Sequence, residues 1–552
     1  MLTTLLSAAA LPALLTFTPQ QLWQEWPRER FITTPAPCLR PAELAEHLHE
    51  LARRHPGELT LEEAGRSVQG RPIYLMTLGH GERKVLLWSQ MHGDEPSATP
   101  ALLDLADYLL SHPDDPASET ILQQTTLLMV PMLNPDGAEV YLRRNAQGID
   151  INRDALSLAT PEGRLLKSLR DEHQPMLGFN LHDQNRRTAV GDSGVLATNA
   201  VLAVAGDAEG TLTPGRLLAK RACAAIAETL APFAPGGMAR YDEDWSPRAF
   251  GDNLTAWGTP VVLIESGAVP PGGDFTDLTR LNFVALLTTL EELATDGLSG
   301  HDPEVYENLL RNQTDAWADV AVRGGDLLQP GTRQPYRADL AFNLAQDDRV
   351  DAGCLVLGTP EARLVELGDA RFLGSSRNLD AEGALIVAPL TAEVLGWKAR
   401  RWLNGQTLDR LTRAGIGLVR WQVSPRRLER ARSLARNLEG PGRARLMAGT
   451  EAPAVPGLRL HGPPAESTSS SLDERLTAAA GESWVSLRRE RSIYQTLLYL
   501  EGGRKDLADW PRIRRGFSPS FFLLSPFDRQ ASSLEGAEIR SLWLDGVEVL
   551  LP

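Results

Sequence analysis

The chain has 552 residues, 42% hydrophobic and 23% charged, a composition of soluble globular proteins and a length that exceeds one ordinary core, so two or three domains are expected. Its formal net charge of -15 gives no general attraction for nucleic acid or for an anionic membrane, and neither is expected as a partner.

Leu2 to Phe17 is apolar, but no Lys or Arg precedes it and Pro12 interrupts it. A secretory signal carries a charged start ahead of its apolar stretch, so a cytoplasmic location is expected, with export the alternative if residues 2–17 act as a signal. The stretch is also too short for a convincing membrane span. Cys38, Cys223 and Cys354 are odd in number and far apart, which indicates neither a disulfide framework nor a cysteine zinc site.

From residue 30 to about 298, apolar runs alternate with helical patterns. The runs are Ile73 to Leu78, Val85 to Trp88, Leu127 to Met132 and Val261 to Ile264; helices are expected near Ala101 to Leu110, Gly163 to Glu172, Gly215 to Leu230 and Leu278 to Ala294. This is the pattern of an α/β sheet enzyme. Four His-x-x-Glu pairs occur, but His47/Glu50, His55/Glu58 and His301/Glu304 sit in polar or helix-like surroundings that read as solvated charged faces. Only His92 and Glu95 follow a buried-strand run and precede a helical pattern, and such a strand-to-helix junction is where open α/β sheets place their ligands.

A second apolar run, Leu177-Gly-Phe-Asn-Leu-His182, also breaks into a polar stretch at a histidine. Two imidazoles and a carboxylate make a three-ligand zinc site with a fourth position left for water. Glu265 ends the run Val261-Val-Leu-Ile-Glu265, where a carboxylate is costly to bury unless paired, hydrogen-bonded or protonated. Beside a metal it is suited to act as general base. After the turn Asn134-Pro-Asp-Gly137, the run Arg143-Arg-Asn-Ala-Gln-Gly-Ile-Asp-Ile-Asn-Arg153 supplies guanidinium and amide donors of the kind that hold a free carboxylate. No Gly-x-Ser-x-Gly elbow is present, which disfavours a serine hydrolase.

The order His-x-x-Glu, Arg-x-Asn, Asn-Arg, His and strand-borne Glu resembles the zinc carboxypeptidases of the carboxypeptidase A type, over residues 30 to 298 and including Gly65-Arg-Ser-Val-Gln-Gly-Arg-Pro-Ile73. The resemblance implies a mixed-sheet α/β domain and one zinc per chain, held by His92, Glu95 and His182, with Glu265 as base and proton shuttle. It implies that Arg143, or Arg144 if the alignment slips by one, polarises the scissile carbonyl, and that Asn152 and Arg153 clamp the terminal carboxylate. Tyr241 is near the family's substrate-binding tyrosine but not in register. The specificity segment, Pro247 to Asn253, mixes Arg248, Phe250 and Asp252 and does not select between basic and aromatic end residues. The implied function is removal of a C-terminal residue from a peptide. The alternative is a deacylase or amidase acting on an N-acyl amino acid or a cell-wall peptide.

Residues 299–321 read as a linker holding a helix at Pro303 to Leu310, and residues 322–552 as a β-rich accessory domain. Leu364 to Asp369, Arg377 to Gly383 and the stretch Phe521 to Val547 resemble the small β-sandwich of amidohydrolase-superfamily enzymes. No His-x-His follows Ala388-Pro-Leu, and His461 is the only histidine beyond His301, so a degenerate remnant without a second metal site is expected. The arginine-rich tract from Lys398 to Arg445 reads as a solvated basic helix face, and Pro453 to Ser471 as a loop.

Overall fold

The runs Val85–Trp88, Leu127–Val130 and Val261–Ile264 are buried at every position, as strands at the centre of a sheet covered on both faces must be. In the computed structural model, residues 18–241 and 245–328 are described continuously; beyond them the described stretches are 336–345, 349–351, 354–356, 361–387, 390–393, 416–422, 459–461, 484–491, 521–525, 538–544 and 547–549. The chain divides into two units. One comprises Met1–Trp317 with Asp348–Gly358, the other Ala318–Asp347 with Thr359–Pro552.

Eight strands build the sheet of the first unit: β1 (Leu59–Arg66), β2 (Pro72–Gly79), β3 (Arg83–Ser89), β4 (Thr125–Val130), β5 (Leu177–Asp183), β7 (Asn199–Ala203), β8 (Met238–Arg240) and β9 (Val261–Ser266). Their spatial order is β1-β2-β4-β3-β5-β9-β7-β8. The short β6 (Ala189–Val190) pairs instead with β10 (Asn312–Gln313). β4, β3, β5 and β9 run parallel, whereas β2 runs antiparallel to both β1 and β4, and β7 runs antiparallel to β9 but parallel to β8, so the sheet is mixed.

The connections carry helices α1 (Pro19–Glu29), α2 (Pro41–Arg54), α3 (Ala98–Ser111), α4 (Pro116–Gln124), α5 (Pro135–Val140), α6 (Pro161–His173), α7 (Pro214–Leu230), α8 (Phe250–Ala256), α9 (Phe275–Ala294) and α10 (Pro303–Glu307). Proline opens α5, α6 and α7, each behind a cap (Asn134, Thr160, Thr213) whose side chain accepts a backbone N–H of the first turn. One face of the sheet, with Leu87, Phe179, Leu181 and Ile264, packs on α3, α7 and α9. The other, with Leu86, Trp88 and Leu263, packs on Leu165, Leu166 and Leu169 of α6 and on Phe250 and Leu254 of α8.

Every strand and helix expected in this unit is present within a few residues of its expected bounds, the helix at 303–310 in the shorter form Pro303–Glu307. Two readings are corrected. Cys38 is disulfide-bonded, because separation along the chain does not fix separation in space. His55 is not on a solvated face: it is buried, with Nε2 3.2 Å from Asp107 Oδ1.

The second unit is β-rich. Strand Trp317–Leu328 pairs antiparallel with Tyr336–Ala345, which pairs antiparallel with Glu361–Gly368, over a core of Val320, Val322, Leu340, Phe342, Leu364 and Ile386. The segments compared with an amidohydrolase sandwich fall on or overlap the strands Glu361–Gly368, Gly374–Asp380, Phe521–Ser525 and Glu538–Leu544. Residues 2–17 lie outside the described residues, as do the tract 398–445 except for strand Ile416–Gln422 and the stretch 453–471 except for Arg459–His461. Among the described residues no helix is long and apolar enough to cross a membrane.

Asp104 of α3 pins the N-terminal segment to the sheet. Its carboxylate accepts from Trp26 Nε1 at 3.0 Å and from Ile32 N at 2.9 Å, and burial pushes its pKa up to about 7 against those bonds. Asp104→Ala leaves two buried donors unpaired, at a cost of about 1–3 kcal/mol each, measured by denaturant unfolding. Because the folded value lies above the ordinary 3.8, the carboxyl's own contribution is complete below pH about 4 and is lost as pH rises through about 7. The deficit of the variant should therefore narrow from pH 5 to pH 8, and a deficit that widens instead would contradict this assignment.

Candidate metal centre and active site

β3 ends at Ser89, and the chain turns through Gln90, at φ 49°, into the loop that carries His92 and Glu95. That loop lies backbone against backbone on the start of α5: a Cβ on Gly93 would stand 2.0 Å from the Gly137 carbonyl carbon, so no side chain fits between the two functional residues. β5 runs beside β3 and β9 beside β5, and the register of the second pair sets His182 directly opposite Glu265. Opposed residues of neighbouring strands project to the same face. Three strand ends thus deliver His92, Glu95, His182 and Glu265 to one edge.

Glu95 is held at both oxygens. His92 Nδ1 lies 2.8 Å from Oε1, His182 Nδ1 lies 2.5 Å from Oε2, and Arg143 Nη1 donates to Oε1 at 3.0 Å. His92 Nε2 faces Asp150 Oδ1 at 3.1 Å, and Asp150 Oδ2 accepts from Arg143 Nε at 3.1 Å. Asp150 also accepts from Asn152 N at 2.9 Å, so the one carboxylate orients an imidazole, a guanidinium and the short turn Ile151–Arg153. The sequence reading gave Asp150 no part. Its signal was its place in the same run as Arg143, Asn152 and Arg153, two residues ahead of the Asn-Arg pair.

Burial alone would raise Glu95, but the histidines, His182 first, hold it at about 2. Burial lowers His182, against the pull of Glu95; for His92 the bonds to Asp150 and Glu95 outweigh burial and raise it. Asp150 is held well below the usual carboxylate range, burial being outweighed by His92 and Arg143. Glu265 goes the other way: burial first, then the charges of Glu95 and Asp183, push it well above the ordinary glutamate range. The Tyr241 hydroxyl is raised by the charge of Glu265 first and then by burial.

The ligating atoms of His92, Glu95 and His182 all lie within 4.8 Å of one another, and all three residues are buried. Among the described residues this is the only cluster of its kind, and His-x-x-Glu pairs at 47, 55 and 301 take no part in one. Two imidazole nitrogens and a carboxylate are the donor set of a hydrolytic metal site. His182 turns Nδ1 toward the cluster, 2.5 Å from Glu95 Oε2, while its Nε2 is buried without a hydrogen-bond partner. The arrangement is able to hold one metal ion.

All eight residues singled out in the sequence line one cavity of about 290 Å³: His92, Glu95, Arg143, Asn152, Arg153, His182, Tyr241 and Glu265. Arg144 does not; it is exposed and donates to Gly148 O at 3.1 Å. Asn152 Oδ1 accepts from Phe250 N at 2.9 Å, leaving its Nδ2 donors uncommitted among the described residues. Of Arg248, Phe250 and Asp252, only Asp252 reaches the wall, beside the apolar Leu202, Val204 and Leu263. Burial pushes Asp252 up to about 6, against a 2.7 Å bond from Ser246 N. Asn180, Asp183, Asn312 and Thr314 also line the cavity and were not foreseen.

Residues 44–168 match the family model described as zinc carboxypeptidase. Carboxypeptidase SOL1 of Arabidopsis thaliana is 29% identical over 119 residues, 20% of this chain and 24% of that protein. Carboxypeptidase E of Caenorhabditis elegans is 33% identical over 134 residues, 20% of this chain and 28% of that protein. The chain therefore spans about a quarter of the length of these curated relatives. A metallo-carboxypeptidase structure from Burkholderia cenocepacia aligns with 46% of this chain and 69% of its own at 20% identity and a TM-score of 0.38, a likeness too slight to argue from. Together with the buried His-His-Glu cluster, the match places a zinc carboxypeptidase domain in this chain at about residues 44–168.

Proposed function

We propose that the protein is a zinc metallocarboxypeptidase that hydrolyses the C-terminal peptide bond of peptides. The observation that carries the reading is the convergence of three metal-ligating side chains, a buried glutamate and two arginines on one cavity. His92, Glu95 and His182 would hold one zinc ion, which when bound supplies a Lewis acid and lowers the pKa of water beside it to about 7.

Glu265 is the base in this reading. It stands across from His182 on the neighbouring strand, and its raised pKa suits a group that takes up a proton and later returns it to the leaving amine. Arg143 is fixed by Glu95 and Asp150 and presents its charge at the cavity edge, where it would stabilise negative charge growing on the carbonyl oxygen. Arg153 and the Nδ2 of Asn152 would clamp the terminal carboxylate, and Tyr241, on the wall of the same cavity, would contact the substrate. The deacylase reading draws no separate observation from the site.

Elemental analysis should find one zinc per chain, and His92→Ala or His182→Ala should lose most of it; full occupancy in both variants would rule out this ligand set. Glu265→Gln should keep the zinc and the fold yet lose activity by orders of magnitude, because an amide cannot accept the proton, so near-normal turnover would remove Glu265 from the role of base. Amidating a peptide's C-terminus removes a charge-assisted contact of about 1.5–3 kcal/mol and should slow cleavage by at least roughly tenfold. The same change should matter little to Arg153→Ala. Equal cleavage of free and amidated peptides by the wild type would defeat the exopeptidase reading.

A further inference from the structure

Each of the three segments that bring functional groups to the cavity carries a small polar residue just beyond them. Ser97 follows Glu95 by two positions, Asp183 follows His182, and Ser266 follows Glu265. Successive residues of a strand face opposite ways, so while Glu265 faces the cavity, Ser266 faces the helices behind the sheet. There it meets Asn282 of α9, whose Nδ2 donates to Ser266 Oγ at 2.8 Å and to Leu278 O at 2.9 Å, with Ser97 Oγ beside them at 3.4 Å. Ser97 in turn grips Asp183: its hydroxyl donates to Oδ1 and its backbone N–H to Oδ2, the latter at 3.1 Å. Thr279, one turn earlier on α9, donates to Ser97 O at 2.9 Å.

We propose that Asn282 is a positioning residue for the metal centre. It is the one point on α9 bonded both to the segment after the base and to the pair that ties the His92–Glu95 loop to the His182 strand. The inference rests on the zinc hydrolase reading above. Ser97, Ser266 and Asn282 are all within 1% of full burial, so water cannot substitute for a lost partner without a structural change. His92 and Glu95 share one loop whereas His182 stands on β5, and shared partners such as these help to fix the spacing between the two segments. Groups that orient metal ligands without touching the metal are worth roughly 10–100-fold in metal affinity or activity when removed.

The test measures zinc affinity by chelator competition, beside thermal unfolding, for Asn282→Leu, Asn282→Ala and Ser266→Ala in the full-length protein. Folded Asn282 variants should bind zinc roughly tenfold or more weakly, and peptide hydrolysis should lose kcat with KM little changed. The double variant Asn282→Ala/Ser266→Ala should be less impaired than the two single losses combined, since both remove the same bond. Wild-type zinc affinity and kcat in a folded Asn282→Leu protein would overturn the proposal. If Asn282 variants do not fold, Ser97→Ala, which deletes one hydroxyl, decides by the same readouts. Should the wild type bind zinc but cleave no peptide, the carboxypeptidase reading fails alone, and the affinity comparison still decides the role of Asn282.

Discussion

Glu95 is a carboxylate taken out of water, and the surrounding site is arranged around that cost. An isolated buried charge is disfavoured by several kcal/mol, so it persists only with opposite charge or donors against it. Here both oxygens are engaged, one by His92 and Arg143 and the other by His182. The arrangement then propagates outward: Arg143 and His92 each take a second partner in Asp150, which anchors the turn bearing Asn152 and Arg153. The metal-ligating cluster, Arg143 and the turn bearing Asn152 and Arg153 are therefore one electrostatic network rather than three neighbouring features.

The parallel centre of the sheet makes that network possible. β3, β5 and β9 end at a common edge, and the pairing of His182 with Glu265 is set by backbone register. The two acidic side chains respond oppositely to the same burial. Glu95, between histidines, is held down to about 2, whereas Glu265, which faces Glu95 and Asp183 instead, is driven up. Environment thus sets two buried glutamates of one cavity apart, one held down and the other driven up.

Much of this was legible in the sequence because its signals are local. Buried-strand runs, proline-led helices and the breaks at His92, His182 and Glu265 all show within a window of about ten residues. Asp150 was missed because its importance lies in a contact with His92, 58 positions away, and its place in the run of Arg143, Asn152 and Arg153 is the one local sign of it. His55 was misread for the same reason: its partner Asp107 belongs to another helix. Cys38 makes the point for covalent bonds, since spacing along a chain is silent about pairing. Of the mixed specificity segment, only the helical phase of α8 decides that Asp252 reaches the cavity while Phe250 turns into the core.

The separation of the ligands along the chain bears on how the protein folds. No short segment of the unfolded polypeptide contains more than His92 and Glu95, so the His-His-Glu cluster is complete only after β3 and β5 have paired in parallel, and Glu265 joins when β9 docks. Pairings of this kind close long loops and form slowly. An ion that binds the assembled edge and finds no equivalent site in the unfolded chain stabilises the native state by mass action. Zinc supply during synthesis would then influence how much of the chain reaches its folded form, in addition to how much of the folded form is active.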